Sequence, residues 1–490
     1  MAKNLIYDIH DRPKFSNMLL FALQQLLAIL AATIAVPTTI GVPTQIPAAI
    51  FGAGVGTLIY QLFTRFKSPV FLGSSFAFLS SLAVALAYGY MGILLGSIVA
   101  GLVYVVIAII IRLVGTSWVA KLMPPVIIGP TVTLIGLSLA GAAMGDMVKA
   151  NSSAVYAGYN LAALACGLVT FFTIVICSTQ KKYTMPRLVP FVLGIVAGYI
   201  VASVLTAIGM AADVDYLKII NWDPIVNNFV AEDGSFRGLS AFIDYPHFAL
   251  VEGIKELATG KLAPEILAAN PKATVLTLGG VAEIVIAFLP VALVVFAEHI
   301  ADHKNLSYII DKDLIKEPGL DRTLLGDGVG SIVGTAFGVC PNTTYGESVG
   351  CVAITRNASI VTITTTAIMC MVLSFVSPIM VLLQTIPSCV MGGVCLTLYG
   401  FIAVSGMKMF KELDLNESKN LFVVAAILIS GIGGLTIQIP YALAENGAVA
   451  KTIQITGIAT SLILGIITNL VLTKIEKGKL GKAKDDASEE

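Results

Sequence analysis

Four titratable side chains crowd the end of one apolar run. Glu298, His299, Asp302 and His303 follow Leu289-Pro290-Val291-Ala292-Leu293-Val294-Val295-Phe296. On a continuous helix Glu298 and Asp302 share a face at i, i+4, and His299 and His303 share another. A further acid, Glu347, closes the stretch Cys340-Pro341-Asn342-Thr343-Thr344-Tyr345-Gly346-Glu347, which is polar and broken although apolar runs surround it. A carboxylate at membrane depth costs about 2.5–3.5 kcal/mol on insertion scales, so it is a functional candidate by default. Glu298 and Glu347 together offer acceptors for the N–H donors of a ligand, and one of two close carboxylates can hold a proton. Thr344-x-x-Glu347 also reads as a capping box, which gives Glu347 a purely structural alternative. Glu-His-x-x-Asp-His contains metal-ligand types, but zinc hydrolases place His-Glu-x-x-His on one helix face, so no metal or cofactor is expected. His303 stands directly before Lys304, so a solvated helix end competes with a role in the site. Glu283 lies fifteen residues before Glu298, roughly 22 Å along a helix, and belongs near the outer surface.

The elements that must hold these groups are broken ones. Gly338 and Pro341 interrupt a helix, and irregular backbone at membrane depth survives only if buried in protein or lining a wet cavity. Ser68-Pro69-Val70-Phe71-Leu72-Gly73-Ser74-Ser75-Phe76 interrupts another apolar run in the same way. Seven apolar runs lie between positions 15 and 211, and seven more between 276 and 473; the third of each series is the short, broken one. Two broken segments in corresponding places point to the binding site of a transporter built from two repeats, and an odd number of spans per repeat inverts them. The expected fold is therefore an all-α polytopic membrane protein with fourteen spans in two inverted seven-span repeats.

Composition agrees with a membrane protein. Of 490 residues, 57% are hydrophobic and 12% charged, with mean hydropathy +0.89, about half the charge of a soluble domain. Zero net charge gives no reason to expect a nucleic-acid partner. Most Lys and Arg fall on one side of the fourteen-span arrangement, which puts both termini in the cytoplasm. The polar residues 1–14 carry no cleavable signal, and the first apolar run is long enough to stay as an anchor. Residues 212–275 form the one large extramembrane segment, an outer cap with an amphipathic helix near 247–258. The seven cysteines sit in or beside apolar spans, so no disulfide framework is expected. Gly326, Gly330, Gly334 and Gly338 recur every four residues, baring one helix face so that a neighbouring backbone can come close. No Gly-Lys-Ser/Thr follows, which excludes a nucleotide loop.

Five motifs stand out together: Leu72-Gly73-Ser74-Ser75-Phe76-Ala77-Phe78, Ala297-Glu298-His299, Pro341-Asn342-Thr343-Thr344-Tyr345-Gly346-Glu347, Ala353-Ile354-Thr355-Arg356 and Met391-Gly392-Gly393-Val394. By them the chain resembles the nucleobase–ascorbate transporter (nucleobase:cation symporter-2) family, specifically its bacterial uracil permease branch, over nearly everything but 212–275. The resemblance implies a core domain (1–112 and 276–381), a gate domain (113–211 and 382–473) and a cytoplasmic tail (474–490). It also implies short strands in the third and tenth spans. It implies that Glu298 and Glu347 bond the base, that the backbone N–H of Gly346 and of Phe76 meet its carbonyls, that the Phe76 ring packs near it and that Ala32 lines the site. Tyr345 and Tyr399 would stand at or near the core–gate boundary.

The activity implied is import of uracil with a proton across the cell membrane, by alternating access in a lipid-embedded homodimer. A xanthine or other purine permease is the nearest alternative, although those carriers more often have Gln at position 347. An anion exchanger or channel of related fold would want a basic or neutral site. Three positions depart from the uracil permease pattern. Asp302 stands where the family offers a His thought to link protons, with His303 one position off; Ser348 replaces the usual Asn; Gln25 stands where a His can occur. Glu298, Asp302 and His303 are thus the proton-coupling candidates.

Overall fold

The structure, a computed structural model, describes residues 5–150, 159–180, 186–187, 189–231, 233–443 and 449–489. It is mostly helical, as the apolar runs require. In chain order the elements used below are α1 (Phe15–Thr39), α2 (Ile46–Phe63), β1 (Leu72–Ser74), α3 (Leu79–Leu86), α4 (Gly89–Val114), α5 (Pro125–Met147), α6 (Leu161–Thr179) and α7 (Pro190–Ala211). After α8 (Ala249–Thr259) come α9 (Leu278–Ile310), α10 (Leu320–Phe337), β2 (Asn342–Thr344), α11 (Gly346–Thr355) and α12 (Ile360–Leu373). The chain continues with α13 (Ser377–Gln384), α14 (Ser388–Lys408), α15 (Ser418–Ile432), a hairpin of β3 (Ile437–Leu443) and β4 (Val449–Ile455), and α16 (Gly457–Glu489). Among the described residues nine helices are long and apolar enough to cross a membrane, and three more are apolar but shorter. The protein is thus an integral membrane protein.

Exposed side chains recur at helical spacing on the periphery: Leu102, Val106 and Ile109 on α4, and Val196, Ile200 and Val204 on α7. In water such stripes would be a liability; in a bilayer they are the lipid-facing surface.

The two broken stretches fold as the two short strands, and the strands pair with each other. Leu72 lies opposite Thr344, Gly73 opposite Thr343 and Ser74 opposite Asn342, antiparallel. Two flanking backbone bonds lengthen the ladder, Ser75 N to Pro341 O (2.9 Å) and Tyr345 N to Phe71 O (3.1 Å). Two outward-facing donors go to hydroxyls on neighbouring helices: Leu72 N donates to Thr57 Oγ1 (2.9 Å) and Asn342 N to Ser331 Oγ (3.0 Å). That is how extended backbone survives here, since an unsatisfied N–H away from water costs several kcal/mol. Because the strands run in opposite directions, the helical turn after β1 and helix α11 after β2 start at opposite ends of the ladder.

The glycine face of α10 performs as its spacing predicts. A Cβ on Gly334 would lie 2.8 Å from Gly52 O, and one on Gly330 2.8 Å from Gly56 O, so α2 and α10 touch backbone to backbone. The same closeness lets Asn342 Nδ2 donate to Gly52 O (3.1 Å), tying β2 to α2.

Two local expectations are corrected. Helix α9 does not end near 300 but runs on to Ile310, through Pro290 and past Lys304. The capping box does not form: Tyr345 is the N-cap of α11 and makes no side-chain cap bond. The Thr344 hydroxyl is spent elsewhere, on Asp302.

Candidate functional site

Glu298 and Asp302, one turn apart on α9, line a single cavity of about 930 Å³ together with Thr343, Thr344, Tyr345, Gly346 and Glu347. The β1 side contributes Ser74, Ser75 and Phe76. Gly346 is exposed, flanked by buried Tyr345 and half-buried Glu347. It is the first residue of α11, so a helix N-terminus with unused backbone donors opens on the cavity. Glu298 Oε2 is buried and has no hydrogen-bond partner among the described residues. Buried polar atoms are seldom left so, and this one belongs to a side chain that lines the cavity.

Asp302 is anchored. Its Oδ2 accepts the Thr344 hydroxyl at 2.8 Å, so it holds β2 while lining the cavity. Tyr345 is anchored through its own hydroxyl, which donates to Ser74 O (3.1 Å), across the ladder. Its ring fills the space above Gly73, where a Cβ would lie 2.3 Å from ring carbons, so only glycine fits. The Phe76 ring meets Tyr399 of α14 edge-on, with centroids 5.1 Å apart. Tyr399 therefore backs the aromatic wall and does not itself line the cavity. Ala32 is fully buried in the core; Ala28, one turn earlier on α1, is the residue on the cavity wall.

His303 lies elsewhere than a solvated helix end. It is fully buried, with Nδ1 2.8 Å from His299 O and Nε2 2.7 Å from Tyr60 Oη. A carbonyl only accepts, so Nδ1 carries hydrogen. Both ring nitrogens are then occupied behind the cavity. Lys304 marks no helix end: its long chain can reach the surface from a helix that continues. His299 is buried as well, 2.7 Å from Asp327 Oδ2 and 3.0 Å from Thr323 Oγ1. Thr343 of β2 also donates to Asp327 Oδ2 (3.3 Å).

Asp327 is the acid that attention to its glycine neighbours conceals. Its signal is the one that singles out Glu347, a carboxylate inside an apolar span. One contact has no sequence signal: Gln25 Nε2 donates to Ser348 Oγ at 2.6 Å, and Phe71 N to the same oxygen at 3.2 Å. Two of the three family departures thus touch each other, from 323 positions apart. No group of His, Cys, Asp and Glu fit to hold a metal occurs among the described residues.

A helical bundle with two broken, strand-paired segments around an acidic cavity is the architecture of a membrane carrier. The Permease family model (Xan_ur_permease) matches residues 16–439, and the chain belongs to that family. It is a transporter and not an enzyme. It is 35% identical over 470 residues to the uracil permease of Bacillus caldolyticus, covering 95% of this chain and 94% of the relative. To the uracil permease of Bacillus subtilis (strain 168) it is 34% identical over 478 residues, 97% of each chain. Its fold is similar to that of the transmembrane domain of a cyanobacterium bicarbonate transporter, BicA (TM-score 0.52, 14% identity, 94% of this chain and 100% of that one). It is also similar to the murine anion transporter Slc26a9 in the inward-facing state (TM-score 0.60, 12% identity, 95% and 69%). At such identities the likeness is one of fold alone.

Proposed function

We propose that this protein imports uracil together with a proton, by alternating access across the cell membrane. One observation carries the reading. A buried, unpartnered carboxylate oxygen of Glu298 shares a cavity with Glu347 and with the exposed helix start at Gly346. Uracil is a flat ring with two N–H donors and two carbonyls. Two carboxylates match the donors, and the backbone N–H groups of Gly346 and Phe76 match the carbonyls. The Phe76 ring, braced by Tyr399, covers a face of the base, and Tyr345 fixes the strand that presents Gly346. The names of the permease relatives support the substrate class.

Proton coupling falls on Glu298 and Asp302. Two acids on one helix face in a partly dry cavity disfavour double ionisation, so a proton is held at some stage of the cycle. His303 is the weaker candidate because both its nitrogens are engaged. In the proposed arrangement 1–112 and 276–381 form the core, 113–211 and 382–473 the gate, and fourteen crossings in two inverted repeats leave both termini in the cytoplasm. Homodimerisation through gate helices completes it. An anion exchanger is the alternative from another class; Glu298 and Glu347 at the base site would repel an anion held there.

Radiolabelled uracil uptake into proteoliposomes, with and without an inward proton gradient and in competition with xanthine, tests the reading. Gradient-driven uptake that xanthine fails to compete is expected. Uptake indifferent to the gradient removes proton symport, and stronger competition by xanthine reassigns the substrate to purines.

A further inference from the structure

The cavity is far larger than a single six-membered ring needs, and its two ends differ in charge. It follows α9 from Glu298 through Asp302 and Asn305 to Ile309, eleven residues or roughly 16 Å. The carboxylates occupy one end. Arg187, Arg356 and Lys408 line the same cavity, from three separate elements: Arg356 is the C-cap of α11 and Lys408 the last residue of α14. Elsewhere Lys67, Lys312 and Lys419 each face a carboxylate. Arg187, Arg356 and Lys408 form no ion pair among the described residues. Arg187 Nε is moreover buried with no hydrogen-bond partner there. All three line the cavity, Arg187 partly buried and Arg356 and Lys408 exposed at helix ends.

We propose that the basic end of the cavity is a second site, which takes the phosphate of a nucleoside 5′-monophosphate from the cytoplasm. This rests on the uracil reading. A free base brought into a cell is put to use by joining it to a phosphorylated sugar, and the product carries both a ring and a phosphomonoester. Arg matches a phosphate bidentately, and Lys adds a point charge. The glycosidic nitrogen of the nucleotide has lost its N–H, so one carboxylate of the base site loses its donor. The nucleotide is then held mainly by phosphate. It occupies the cavity without being carried and slows import when its product is plentiful.

The test is isothermal titration of the purified full-length protein with uracil, uridine 5′-monophosphate, uridine and inorganic phosphate. The monophosphate should bind and compete with uracil, and uridine should bind at least about tenfold more weakly. Arg356→Gln and Arg187→Gln should each weaken the monophosphate about tenfold while uracil affinity stays within twofold, and Arg356→Lys should recover part of the loss. Wild-type protein that binds uracil but not the monophosphate overturns this inference alone; failure to bind either overturns the uracil reading with it. Repeating the titration in nanodiscs of neutral and of anionic lipid separates the phosphate sources. If anionic lipid stabilises the protein through Arg187 and Arg356 while the monophosphate has no effect, these cations serve lipid and the inference falls.

Discussion

Glu298 and Glu347 are legible from sequence for one reason: a charge at membrane depth must earn its place through function. Asp327 obeys the same rule and is hidden only by its glycine-rich setting. The Gln25–Ser348 contact is illegible because nothing local relates residues on separate helices. Glu347→Ala should abolish uracil binding in a protein that still inserts and folds, read by ligand-induced thermal shift; undiminished stabilisation by uracil would remove Glu347 from the site. Glu298→Ala removes an acceptor for a buried donor, a loss of about 1–3 kcal/mol. Its dissociation constant should rise roughly five- to more than a hundredfold by isothermal titration, and a change under twofold would contradict its role. Asp302→Asn separates charge from anchoring, because an amide oxygen still accepts the Thr344 hydroxyl. Uracil binding should survive in this variant, while uracil-driven proton uptake slows or stops. If it moves protons at the wild-type rate and His303→Ala does not, coupling passes to the buried histidine.

At the scale of elements, sequence announces breaks better than it announces what replaces them. Gly338, Pro341, Pro69 and Gly73 mark where helices cannot continue. That the two gaps would become short strands came from family likeness; that β1 and β2 pair with each other was not legible, since register between segments 270 positions apart has no local code. Pro290 and Lys304 look like stops but are not, because surrounding helices and a long flexible side chain absorb them. The glycine spacing of α10 was legible because it is a pattern within one helix. Gly334→Ala should therefore be costly: its Cβ would fall 2.8 Å from Gly52 O and 2.2 Å from Asn342 Nδ2. Overpacking of this kind costs about 1–3 kcal/mol and here also disturbs the link from β2 to α2. Gly145 on α5 has nothing within 4 Å of its Cβ position, so Gly145→Ala should be neutral or slightly stabilising. Equal melting temperatures for the two variants in detergent would show that the α2–α10 approach is not close enough to exclude a methyl group.

For the whole molecule, alternating access requires that core and gate move past each other around the base. Helix α9 belongs to the proposed core and α14 to the proposed gate, and they touch where Asn305 Nδ2 donates to Ser405 Oγ at 3.1 Å. Both residues line the cavity, on the stretch between its acidic and basic ends. A contact that closes or opens a route must be remade in each cycle, whereas a contact inside a rigid body is permanent. Joining the pair covalently separates these cases. The variant Asn305→Cys with Ser405→Cys, oxidised after purification, should still bind uracil but carry almost none into proteoliposomes, and a reductant should restore uptake. The seven native cysteines are free, and six of them are buried, so each single variant serves as the control for unintended cross-links. Wild-type uptake by the fully cross-linked protein would mean that α9 and α14 move as one body. The division of the chain into a core carrying Glu298 and a gate carrying Ser405 would then have to be redrawn.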